Sequence, residues 1–151
     1  KTLKMPFIDT DLVIQEKTGR FLQEIIESQG IEVFLNIEEE IISGIDVQGY
    51  VIATGGSVVY RENAMAHLKK NGLVFYLEVP FIEIERRLSD IKTRGIAMNK
   101  TQSLREVYTE RIPLYEKYSD RTVRCYTRSM ESIVEEIKNN IHSNQTDTEN
   151  L

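Results

Sequence analysis

The 151-residue chain has a single cysteine, Cys125, so no internal disulfide can form, which suits a reducing compartment. Long apolar runs are absent as well. None approaches the 18 or more residues of a membrane-spanning helix, and the mixed, polar first residues do not read as a signal peptide. There is no excess of positive charge. A net charge of −5 argues against nucleic acid as the main partner. Internal repeats and interdomain linkers are missing too, and the length suits one core. What is present is ordinary for a soluble globular domain: 40% hydrophobic and 28% charged residues.

Strand and helix patterns alternate along the chain. "PFID" reads as a short buried strand end, and residues 12–29 as a helix stopped by Gly30, with Phe21, Leu22, Ile25 and Ile26 on one face. A second helix spans about Val33 to Ser43, with Phe34, Ile37, Ile41 and Ile42 at helical spacing. "YVIAT" (Tyr50–Thr54) is a compact strand running into Gly55 and Gly56, followed by a helix from about Arg61 to Lys70. "LVFYLEV" (Leu73–Val79) is continuous enough to predict burial on both faces. Pro80 opens a helix to about Asp90, and residues 91–102 read as a loop. Ser103 and Glu106 form a capping box for a helix to about Tyr118. "TVRCY" (Thr122–Tyr126) is a last strand. Met130, Ile133, Val134, Ile137 and Ile141 mark a closing helix, and residues 143–151 read as a disordered tail. The alternation predicts an α/β fold, a three-layer arrangement of a parallel sheet flanked by helices.

In such sheets, ligands bind beyond the carboxyl ends of the strands. Asp9 and Asp11 in "PFIDTD" and the Gly55–Gly56 pair all fall at strand ends, so segments far apart in sequence are expected on one rim. Each feature also has a plainer reading. The two acids would cap the following helix, and the glycines would form an ordinary tight turn. Glu38, Glu39 and Glu40 would be a solvated face. Arg111 would be an exposed helix residue, and Arg87 and Arg94 merely solvated.

Taken in order, "PFIDTD", "TGR" (Thr18–Arg20), "GIEVFLNIEEE" (Gly30–Glu40), "VIATGGSVV" (Val51–Val59), Arg86-Arg87 with "TRGIA" (Thr93–Ala97), and "ERIPLYEKYSD" (Glu110–Asp120) resemble the shikimate kinase family, a nucleoside-monophosphate-kinase-like branch of the P-loop fold. The resemblance runs from about residue 3 to 142, so residues 1–142 are expected to form one kinase-like domain. It implies an ATP- and Mg²⁺-dependent transfer of a phosphoryl group to a shikimate hydroxyl, on the route to chorismate and the aromatic amino acids. Asp11 then corresponds to the carboxylate that binds that hydroxyl and serves as its base, and Asp9 to the acid that supports Mg²⁺ through water. Gly55, Gly56, Glu38 and Arg111 correspond to substrate-binding positions, the guanidinium matching a carboxylate through paired hydrogen bonds. Arg87 corresponds to a residue near the adenine, and Arg94 to a lid residue that closes over the phosphates. The implied partners are shikimate and ATP, with no nucleic acid or membrane, in a cytoplasmic monomer.

The sequence departs from the family pattern in several places. Leu35 stands where an arginine that contacts the substrate carboxylate is usual, Ser57 where a third glycine is usual, and "RGIA" (Arg94–Ala97) where the lid usually has "RPLL". No G-x-x-x-x-G-K-[ST] pattern occurs anywhere. With a first residue other than Met, this leads to the expectation of a chain lacking its first strand and phosphate loop, with little kinase activity alone. Two rival expectations remain: a related kinase for another hydroxylated compound, motivated by Leu35, and a non-catalytic module that binds substrate without nucleotide.

Overall fold

The computed structural model describes residues 3–70, 72–89, 96–99 and 101–148. The strands are β1 (Phe7–Asp9), β2 (Val51–Ala53), β3 (Phe75–Glu78) and β4 (Arg121–Arg124). The helices are α1 (Thr10–Thr18), α2 (Leu22–Gln29), α3 (Ile31–Ser43), α4 (Glu62–Lys70), α5 (Phe81–Ser89), α6 (Leu104–Tyr118) and α7 (Met130–Thr148), with one 3₁₀ turn over Val58–Tyr60. Strands and helices alternate as the sequence predicts, and all strand pairing is parallel.

The described strands form two pairs, β1 with β2 and β3 with β4. In the first pair Asp9 lies beside Ala53, and in the second Glu78 lies beside Arg124. Every strand of a two-stranded ribbon is an edge, so burial is less complete than "LVFYLEV" predicts. Tyr76 packs its ring 5.1 Å from that of Tyr115 on α6. Leu77, on the opposite face, remains 51% exposed.

The expected helix over 12–29 is two helices. Gly19 adopts φ 66°, a left-handed conformation that glycine takes without steric cost, and its N–H closes on the Gln15 carbonyl. Thr18 Oγ1 donates back to the Ile14 carbonyl, and the chain restarts at α2, where Glu24 accepts the Phe21 N–H. At the other end, α7 continues through Ser143 to Thr148, where a disordered tail is expected. Once nucleated, a helix gains one hydrogen bond per residue without a new nucleation cost, so a polar extension can follow an amphipathic start. Residues 149–151 lie outside the described residues.

Two apolar clusters carry the core. One joins Ile14, Ile25, Phe34, Leu35, Ile41 and Ala97, and the other joins Ile42, Val58, Val59, Ala64 and Met65. Helix α3 contributes to both, which makes it the central wall. Burying an aliphatic side chain of this size contributes about 1.5–3 kcal/mol. The Ser103–Glu106 capping box forms as the sequence predicts and starts α6. Among the described residues, no helix is long and apolar enough to cross a membrane.

Candidate active site

Parallel register builds the site. Because Asp9 pairs with Ala53, the residues just past each strand emerge side by side. Those residues are Asp11, in the first turn of α1, and Gly55, at the start of the glycine turn. A Cβ placed on Gly55 would lie 3.1 Å from Asp11 Oδ1, 3.1 Å from Glu38 Oε1 and 3.8 Å from Ser57 Oγ. Three polar side chains thus converge on the space that the missing Gly55 side chain leaves. The two carboxyl oxygens share that point, so they are at most twice 3.1 Å apart.

Glu38 reaches this space from α3 and is 0% exposed. Its Oε2 accepts the Ser57 hydroxyl at 2.8 Å. Its Oε1 has no hydrogen-bond partner among the described residues. Burial pushes the Glu38 carboxyl up to about 7, and the negative charge of Asp11 adds to the rise. The Ser57 hydrogen bond and the Arg111 and Arg61 guanidiniums act in the opposite direction. The neighbouring acids behave differently. Glu39 lies 3.9 Å from Arg61, and Glu40 is exposed, so the solvated-face reading of "EEE" holds only for the end of the run.

Arg111 enters from α6 and is only 7% exposed, so it is not a solvated surface residue. Its Nε donates to the Tyr60 hydroxyl at 3.2 Å and its Nη2 donates to the Ala97 carbonyl. Its guanidinium also lies 5.1 Å from the Tyr60 ring centroid. One helical turn further, the Tyr115 hydroxyl donates to the Gly56 carbonyl at 2.9 Å. A Cβ on Gly56 would lie 2.6 Å from that hydroxyl and 3.2 Å from Arg111 Nη1, so only glycine leaves room for both side chains.

Asp9 sits beside this cluster and does what the plainer reading expects. Its Oδ1 accepts the Asp11 N–H at 3.0 Å and caps α1. Arg87 is elsewhere, on α5, where Arg86 and Arg87 both pair with Glu83, Arg87 Nε at 2.7 Å. Arg94 lies outside the described residues. Leu35 is buried in the first apolar cluster.

The structure therefore brings together Asp11, Glu38, Gly55, Gly56 and Arg111. Three partners were not identified from sequence. Tyr115 lies four residues after Arg111 and hence on the same helix face, a signal available in the pattern. Tyr60 and the Ala97 carbonyl join the cluster only through the tertiary fold. Ser57, standing where a third glycine is usual in the family, holds Glu38.

Acids and glycines delivered by parallel strands to one rim, facing an arginine from a later helix, describe the acceptor side of an α/β small-molecule kinase. The family model described as shikimate kinase matches residues 1–142. A shikimate kinase of Caldanaerobacter subterraneus is 32% identical over 139 residues, covering 90% of this chain and 81% of its own length. That of Thermodesulfovibrio yellowstonii is 39% identical over 120 residues, covering 78% and 69%. Among solved structures, shikimate kinase from Acinetobacter baumannii in complex with shikimate superposes with a TM-score of 0.81 at 27% identity, covering 93% of this chain and 80% of that one. The chain belongs to the shikimate kinase family. It is of the ATP-dependent kinase type, a phosphotransferase with an alcohol group as acceptor.

Proposed function

We propose that the rim around Gly55 and Gly56 binds shikimate, and that the chain directs the γ-phosphoryl group of ATP to one of its hydroxyls. The observation that carries this reading is the meeting of Asp11 and Arg111 across the glycine turn, an acid for a hydroxyl and a guanidinium for a carboxylate in one small space. Asp11 orients the acceptor hydroxyl and takes its proton. Arg111, already steered by Tyr60 and the Ala97 carbonyl, neutralises the substrate carboxylate. Gly55 and Gly56 let the substrate approach the backbone closely, and Glu38 contributes a further polar contact. Arg87 and Arg94 serve the nucleotide. The reading places the protein in the cytoplasm as a monomer.

Magnesium fits one carboxylate here and not a protein cage. Among the described residues, no group of three or more His, Cys, Asp or Glu side chains is placed to hold a metal ion. Mg²⁺ keeps several waters and is held by one or two carboxylates with substrate phosphates, so Asp9 suffices as the protein's share. When bound, the ion would offset phosphate charge.

Because the 151 residues contain no G-x-x-x-x-G-K-[ST] pattern, binding is the sharper test of the acceptor site than turnover. Calorimetric titration with shikimate should show one site. Arg111→Met should weaken it about a hundredfold or more, the scale of a buried charge pair losing one partner. Heat changes that are the same for the wild type and this variant would refute the assignment.

A further inference from the structure

The Glu38 carboxyl has a use beyond this assignment. It is buried, yet only one of its oxygens is satisfied. An acid left this way costs free energy unless it is neutral or its second oxygen meets a ligand. The unsatisfied Oε1 is not turned at random. It stands over Gly55, as near to that point as Asp11 Oδ1. The group that fixes this orientation is the Ser57 hydroxyl, itself 3% exposed and therefore unable to turn to solvent. Leu35 packs into the apolar cluster, so Glu38 has no guanidinium from its own helix at that position.

We propose that Ser57 is a positioning residue of the substrate site: its hydroxyl holds Glu38 so that Oε1 carries a proton toward the space over Gly55, and the substrate is bound with Glu38 neutral. A neutral carboxyl offers there an O–H donor beside an acceptor, Asp11, so a polyol can be met by both. An ionised Glu38 would set a second negative charge beside Asp11 and compete with the substrate carboxylate for Arg111. The charged and titratable groups facing Glu38 are Asp11 from α1, Arg61 from the residue just before α4, and Arg111 and Tyr115 from α6. The two arginines favour ionisation of Glu38 and burial opposes it, which places the change within reach of neutral pH. As pH rises through about 7, Glu38 loses its proton and substrate affinity falls, up to about tenfold per unit.

This inference rests on the shikimate reading for its ligand but not for its proton, and the test separates the two. The carboxyl carbon of Glu38 is titrated by NMR in the full chain, assigned by its loss in Glu38→Gln, for the wild type, Ser57→Ala and Ser57→Thr. The wild type should titrate near 7. Ser57→Ala removes a bond that favours the ionised form, so its midpoint should rise by about half a unit to one unit, and Ser57→Thr should restore it. A merely structural role predicts the opposite sign, because a loosened site admits water and returns the carboxyl toward its ordinary value. A midpoint in Ser57→Ala that is unchanged or lower overturns the proposal. Shikimate calorimetry at pH 6 and pH 8.5 completes the test. Weaker binding at the higher pH, lost in Glu38→Gln, supports the proposal, and pH-independent wild-type binding overturns its ligand half. If the wild type binds no shikimate at any pH, the functional reading fails while the NMR result still decides the role of Ser57.

Discussion

Two side-chain hydrogen bonds from serine to glutamate among the described residues are nearly equal in length, yet the carboxyls that accept them shift in opposite directions. Ser57 donates to Glu38 at 2.8 Å inside the site, and Ser103 donates to Glu106 at 2.7 Å at the start of α6. At α6, the side-chain and backbone hydrogen bonds from Ser103 hold the Glu106 carboxyl below its usual range, and water solvates whatever remains. At the site, burial overrides the same bond and pushes Glu38 up to about 7. The hydrogen bond is not the variable. The difference is the surroundings: Glu38 is 0% exposed on a helix face whose Leu35 and Ile42, three and four residues away, form a wall belonging to the two apolar clusters, whereas Glu106 is exposed. A neutral hydrogen bond contributes about 1 kcal/mol, whereas burying an uncompensated carboxylate costs several.

Four substitutions break or sharpen this contrast. The largest effect is expected from opening the wall. Ile42, one turn beyond Glu38 on α3, is 0% exposed. Ile42→Ala should lower stability in urea by about 2–5 kcal/mol and also bring the Glu38 midpoint down as water enters. A stable variant with an unmoved midpoint would refute the link between wall and carboxyl. Next comes Glu38→Gln, through linkage. A folded-state carboxyl raised from 4.5 to about 7 binds more protons than the unfolded chain, so its stabilising effect is complete below 4.5 and is lost as pH rises through about 7. At pH 8 the glutamine variant should be more stable than the wild type by about 2–3 kcal/mol, with little difference at pH 4.5. Equal urea midpoints at pH 8 would show that Glu38 is not buried as described.

Gly56→Ala should cost about 1–3 kcal/mol, because its Cβ would press on the Tyr115 hydroxyl and Arg111. The same change should weaken shikimate binding, and calorimetry showing native affinity would place the substrate elsewhere. The smallest effect belongs to the exposed pair. Ser103→Ala should cost about 1 kcal/mol through loss of the α6 cap and let the Glu106 carboxyl rise toward its ordinary value, with no change at Glu38. NMR titration of both carboxyls in this variant tests whether the two pairs are independent.

Much of the architecture was readable as pattern. The capping box at Ser103 appeared where its spacing put it, as did the helical period through Phe34, Ile41 and Ile42. Asp9, Asp11 and the two glycines were visible at strand ends. The break at Gly19 was not, since hydrophobic spacing runs through it and only the backbone conformation shows that the helix turns. Exposure of Leu77 was also hidden, because an apolar strand reads the same whether one face or both are covered. The sequence made Asp9 a choice between metal and cap. The structure shows the cap, which leaves the other carboxyl oxygen's role to the magnesium reading.

By itself, the sequence determined the alternation of elements and the α/β class, and it placed Asp11 and Gly55 at strand ends, while the resemblance to the shikimate kinase family marked Arg111. The first two follow from local spacing, and the last from the match of whole segments in order. The resemblance singled out Glu38 among three consecutive glutamates, but only the tertiary structure decided that it is buried and that Ser57 is its partner. Burial and charge at Glu38 depend on Asp11 from α1, Arg61 just before α4 and Arg111 from α6, brought near it by parallel register and helix packing. No local pattern records that sum, because it is a property of the surroundings and not of the residue.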